Sequence, residues 1–96
     1  MQIIRKIKIK NNYLLALELK LLDKKLIVLR GGKGYIMCGY LDLRVAEKFK
    51  DCAAKITGVS TIRQALSAKI HSCTRQAKRS GIYKGQPVKD ALAIIS

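Results

Sequence analysis

Two groups of residues in this 96-residue chain have the types and spacing to do chemistry. The first is the run Gly34-Tyr35-Ile36-Met37-Cys38-Gly39-Tyr40-Leu41-Asp42. It reads as a strand, a glycine turn and a helix start, with Cys38 as the last strand residue and Asp42 as the helix cap. A thiolate is favoured near a helix N-terminus, where aligned peptide dipoles stabilise negative charge. Cys38 is therefore the candidate catalytic nucleophile, and Gly34, Tyr35, Gly39 and Asp42 are the candidate ligand-binding residues around it. The glycine after the thiol allows close approach of a ligand or another backbone. A nucleophile also needs a base. The one histidine, His71, falls in a later polar segment with no orienting carboxylate in view. The competing reading is packing, because free cysteine is among the most buried residue types.

The second group is Arg75, Lys78, Arg79 and Lys84, continued by Lys89, the candidate polyanion-binding surface. Phosphate contacts need only charge and reach, whereas sequence readout needs base-edge or stacking groups. Tyr83 lies among these bases and could stack. No helix-turn-helix, RNP or KH pattern accompanies them, so any nucleic-acid binding through this surface would be weak and nonspecific. Gly31-Gly32-Lys33-Gly34 lies between two strands. A phosphate-cradling loop needs a helix directly after it, so this run reads as a turn, with at most a minor anion role for Lys33.

Twenty Lys and Arg against six Asp and Glu give a net charge of +14. That exceeds the magnitude of about 2–8 that keeps a small domain soluble. Ion-pair networks would need matching acids. The excess must self-repel or meet an anionic partner, and it is spread along the chain rather than held in a tail. Cys38, Cys52 and Cys73 show no C-x-x-C spacing, and with a single histidine they argue against a metal site and against a disulfide framework. Reduced thiols in the cytoplasm are the expectation, with no cofactor, no signal peptide and no membrane segment. A second copy of the chain and weakly bound nucleic acid are the partners left open.

The elements that must position these groups follow from periodicity. Ile3, Ile7 and Ile9 alternate with lysines, Asn11-Asn12 is a turn signal, and Tyr13, Leu15, Leu17, Leu19 and Leu21 alternate again opposite Glu18 and Lys20, which predicts a hairpin. Asp23-Lys24-Lys25 is a second turn before the apolar run Leu26–Leu29. Tyr35–Cys38 is a further strand. From Asp42 the period changes to that of a helix: Val45, Ala46, Phe49, Cys52, Ala53 and Ile56 share a face, predicting one long helix over 42–56 closed by Gly58. Shorter helices are expected after Thr61, from Ser72 through Arg79 closed by Gly81, and from Pro87 onward. Strands first and helices afterwards predict a single α+β domain over residues 1–96. Its sheet is expected to be mainly antiparallel with four or five strands, packed against the long helix and the C-terminal helices. With one Phe and no Trp, the core must be Leu, Ile, Val and Ala.

The run GYIMCGYLD, with Thr61-Ile62 and Gly81-Ile82 downstream, resembles the YunC-like family of small bacterial and archaeal domains of unknown function. The resemblance extends over the full length and implies an α+β fold without implying an activity. The chain departs from that family in its charge. The reading that follows is a non-catalytic binding or assembly module with the Gly34–Asp42 segment at its functional edge. An enzyme using Cys38 is the first alternative, and a nonspecific nucleic-acid binder is the second.

Overall fold

The computed structural model describes residues 2–39 and 42–96; Tyr40 and Leu41 of the central segment lie outside the described residues. The chain forms β1 (Gln2–Ile9), β2 (Asn12–Leu21), β3 (Lys24–Arg30), β4 (Tyr35–Cys38), α1 (Leu43–Lys48), β5 (Ala53–Ile56), α2 (Ile62–Leu66), β6 (Ser72–Cys73), α3 (Arg75–Arg79) and α4 (Val88–Ile95). The strands make one six-stranded sheet in sequence order. Every neighbouring pair is antiparallel except β4 and β5, which run parallel with α1 as their crossover.

The predicted meander β1–β2–β3 forms, with turns one residue or more earlier and with β2 turned over. Leu14, Ala16 and Glu18 are buried, not the alternating set Tyr13, Leu15, Leu17, Leu19 and Leu21. Ile9 pairs with Asn12 and Leu21 with Lys24, so the two-residue loops are Lys10-Asn11 and Leu22-Asp23. Lys10 (φ 55°) and Leu22 (φ 52°) take the left-handed first position that a II′-type hairpin demands. One sheet face meets the helices. Leu14, Ala16, Ile27, Leu29, Ile36, Cys38, Ala54 and Ile56 pack there with Ile62, Ala65, Ile70, Ala77, Ile82, Val88, Ala91, Leu92 and Ile95. The core is aliphatic, as composition requires. Leu15, Leu17, Leu19, Leu26, Val28 and Met37 alternate onto the other face, which β1–β4 leave without a helix.

The long helix over 42–56 does not form. Asp42 does cap α1, its carboxylate accepting the Arg44 N–H at 3.0 Å. The helix then stops after Lys48. Lys50 adopts φ 58°, its N–H bonds the Glu47 carbonyl, and the Asp51 N–H bonds the Ala46 carbonyl. This is a Schellman ending with lysine where glycine usually stands. The residues expected to complete the helix instead form β5. A short apolar run satisfies helix and buried-strand patterns alike, and the far edge of β4 offers Ala53–Ile56 a full ladder. Phe49, expected at the centre of the buried stripe, is 73% exposed.

The later helices hold more closely to expectation. Thr61 caps α2, and Gly81 (φ 105°) closes α3 in a second Schellman ending. The cap of α3 is Thr74 rather than Ser72, because Ser72 and Cys73 pair with β5 as a two-residue strand. Pro87 stands one residue before α4. No helix among the described residues is long and apolar enough to cross a membrane.

Candidate functional site

The Gly34–Asp42 segment does not gather its candidates at one point. Gly34 and Tyr35 stand at one end of β4, Cys38 and Gly39 at the other, and Asp42 at the start of α1. Gly34 is required by contact, since a Cβ there would overlap the Cys52 carbonyl oxygen. The Tyr35 hydroxyl donates to Asp51 Oδ2 at 2.8 Å. Burial, then that hydrogen bond and the Asp51 charge, push the phenol up to about 12. Asp42 is exposed, and its hydrogen bonds from Arg44 hold the carboxyl below the usual carboxylate range.

Cys38 is 4% exposed. Its Sγ accepts the Ile27 N–H at 3.2 Å and its S–H points at the Lys25 carbonyl, 3.7 Å away. These bonds continue the β3–β4 ladder one residue past Val28–Met37. Cys38 lines an open cleft of about 300 Å³ together with Asp23, Lys24, Lys25, Gly39, Gly58, Val59 and Ser60. That lining holds no histidine, and its one carboxylate, Asp23, makes no hydrogen bond to the thiol. His71 is exposed beside Ser72, 3.1 Å from its hydroxyl. Cys52 and Cys73 are half-buried, and burial pushes both thiols up. Among the described residues no cluster of His, Cys, Asp and Glu could hold a metal ion.

The structure assembles a second cleft, of about 480 Å³, between α1 and α3. Arg44, Glu47, Lys48 and Lys50 line it from α1 and its C-terminal turn; Arg75, Gln76 and Arg79 line it from α3. Positions 44, 47 and 48 lie one turn apart and so share a helix face, as do 75, 76 and 79. Five cations thus face one carboxylate. Glu47 ties the two walls together: one oxygen accepts the Arg75 N–H at 3.0 Å, and the other lies 4.0 Å from Arg75 Nε. Arg44 pairs with Asp42. Lys48, Lys50 and Arg79 make no ion pair among the described residues.

Both walls are braced from the sheet. Asp42 fixes the start of α1, and Tyr35 holds Asp51 just beyond its end. On the other wall Thr74, fully buried, caps α3 by accepting the Ala77 N–H. The same hydroxyl accepts the Ala53 N–H and donates to the Asp51 carbonyl. Of the polyanion candidates, Arg75 and Arg79 reach this cleft. Lys78, near Cys73, and Lys84, in the segment after α3, do not line it. Arg44, Lys48 and Lys50 escape sequence reasoning because a continuous helix would have spread them along a solvated face. Their i, i+4 spacing at 44 and 48 was the available signal.

A two-layer α+β domain of this topology, with its central Gly-Tyr-Ile-Met-Cys-Gly strand, belongs to a recognisable class. Residues 37–95 match the family model described as "Domain of unknown function (DUF1805)", and the chain belongs to that family. It is 37% identical over 81 residues to the uncharacterized protein YunC of Bacillus subtilis (strain 168), across 80% of each chain. The crystal structure of TA1206, a protein of unknown function from Thermoplasma acidophilum, matches all of this chain and 94% of its own. The TM-score is 0.96 at 30% identity. The resemblance carried by GYIMCGYLD is thus confirmed over nearly the whole fold.

Proposed function

We propose that this domain is a non-catalytic binding module that takes a phosphate-bearing ligand in the cleft between α1 and α3. The observation that carries the reading is the convergence of Arg44, Lys48, Lys50, Arg75 and Arg79 on one concavity with a single opposing carboxylate. Positive side chains so arranged repel one another unless an anion lies between them. The Gly34–Asp42 segment serves this surface through its ends: Tyr35 and Asp42 brace α1, while Cys38 completes the sheet. Its thiol is buried and engaged by backbone groups, with no side-chain hydrogen bond among the described residues, which favours binding over nucleophilic catalysis.

Calorimetric titration with inorganic tripolyphosphate tests the reading. Saturable binding near one ligand per chain is expected, weakened at least tenfold in Lys48→Gln/Arg79→Gln and little changed in Lys6→Gln/Lys8→Gln on β1. Equal losses in the two double variants would mean that the whole basic surface attracts the anion, and the cleft would lose its special status.

A further inference from the structure

Among the described residues no aromatic side chain lines the proposed cleft, so its charged groups can hold phosphates but it offers no aromatic ring on which a base could stack. An aromatic residue adjoins two of the lining residues in the chain. Phe49 is 73% exposed and is the residue between Lys48 and Lys50, both of which line the cleft. It takes no part in the hydrophobic core. The Schellman ending described above holds it there: α1 stops after Lys48, Phe49 becomes the C-terminal cap, and the chain reverses at Lys50. An exposed phenyl ring on the residue that joins Lys48 to Lys50, in a chain segment that supplies two of the groove's five cations, brings together the two features that single-stranded nucleic acid requires. Those are a positive track for the backbone and a flat face for a base.

Resting on the binding reading above, we infer that the ligand is single-stranded nucleic acid, with its phosphates between α1 and α3 and one base stacked on Phe49. Recognition is independent of sequence. Every base has a π-face, and the lining arginines and lysines address phosphates rather than base edges. Lys48, Lys50 and Arg79 supply three contacts free of internal ion pairs; Arg44 and Arg75 can add two by sharing their present carboxylates. Three to five contacts on a single strand correspond to a log–log salt slope between about −2 and −3.5.

Fluorescence anisotropy with labelled oligo(dT) of twelve nucleotides, run beside the tripolyphosphate titration, tests this. Phe49→Ala should weaken oligo(dT) binding at least about fivefold, the share of one stacked base, and Phe49→Trp should restore it. Tripolyphosphate binding should be unchanged in both variants. The exposed position keeps both substitutions out of the core, and a thermal melt of each variant checks that it still folds. If Phe49→Ala leaves oligo(dT) binding intact while Lys48→Gln/Arg79→Gln weakens it, the cleft stands as an anion site and the nucleic-acid inference is overturned. If oligo(dT) fails to bind while tripolyphosphate binds, the inference falls in the same way. If neither ligand depends on the cleft cations, both readings fall together.

Discussion

Replacing Thr74 with valine removes one hydroxyl and almost no volume, yet it should be among the most damaging single changes in the domain. The Thr74 side chain is fully buried and its Oγ1 makes three hydrogen bonds. It accepts the Ala53 N–H at 3.2 Å and the Ala77 N–H at 3.2 Å, and donates to the Asp51 carbonyl at 2.7 Å. Loss of the helix cap alone costs about 1 kcal/mol. Leaving the Ala53 N–H without this partner in the interior adds roughly 1–3 kcal/mol. A total near 3 kcal/mol should lower the melting temperature by about 15 °C in a domain of this size. Thr74→Ser, which keeps the hydroxyl and gives up one methyl group, should recover more than half of the loss. The exposed Ser80→Ala should cost under about 0.5 kcal/mol. Urea titrations followed by circular dichroism would measure all three. A Thr74→Val cost below about 1 kcal/mol would refute the claim that this hydroxyl joins β5 to α3.

Glu18 is 8% exposed; one oxygen accepts the Ile62 N–H at 3.0 Å and the other meets Lys25 Nζ at 3.4 Å. Glu18→Ala should therefore cost about 2–4 kcal/mol in the same titration, because it strands the first N–H of α2; a surface-like cost would contradict that. Tyr35, with its folded pKa raised to about 12, stabilises the fold in full below about pH 10, where the phenol of the unfolded chain is still neutral. Between about 10 and 12 the unfolded chain loses a proton that the folded chain keeps, so this contribution falls as pH rises. Tyr35→Phe should show a shallower decline over that window than the parent, and identical declines would remove the claim. Cys38, buried and bonded to the backbone, should resist iodoacetamide in the native state at neutral pH and react on unfolding. Site-resolved mass spectrometry showing rapid native alkylation would reopen the nucleophile reading.

The sheet was largely legible because its signal is local. Alternation placed β1 and β2, apolar runs placed β3 and β4, and polar pairs located both hairpins to within a residue or two. The core face was legible on β1 but not on β2, where the alternating set Tyr13, Leu15, Leu17, Leu19 and Leu21 lies on the face without a helix and Leu14, Ala16 and Glu18 are buried. What the sequence hid was the end of α1. Lysine at a left-handed position leaves no glycine to mark the stop, and Cys52 to Ile56 continues a helical period while forming a strand. That misreading buried Phe49 on paper and exposes it in fact. The cleft was half legible for the same reason. Arg75 and Arg79 stood out as a local cluster, whereas Arg44, Lys48 and Lys50 join them only because β5 returns the chain between the two helices. Thr74 carried a local sign only as a helix cap for Ala77; its bonds to Ala53 and Asp51, and that of Glu18 to Ile62, span 21 to 44 residues and left no mark in the sequence.

The central claim is that one cleft, rather than the whole basic surface, receives the anion. A ¹H–¹⁵N correlation titration with tripolyphosphate reads this residue by residue at moderate salt. The account predicts saturable shifts concentrated at residues 44–50 and 75–79, with the amides of Lys6, Lys8 and Lys10 nearly still. Small, unsaturated shifts spread across the lysines of β1 and β3 as strongly as across α1 and α3 would contradict it.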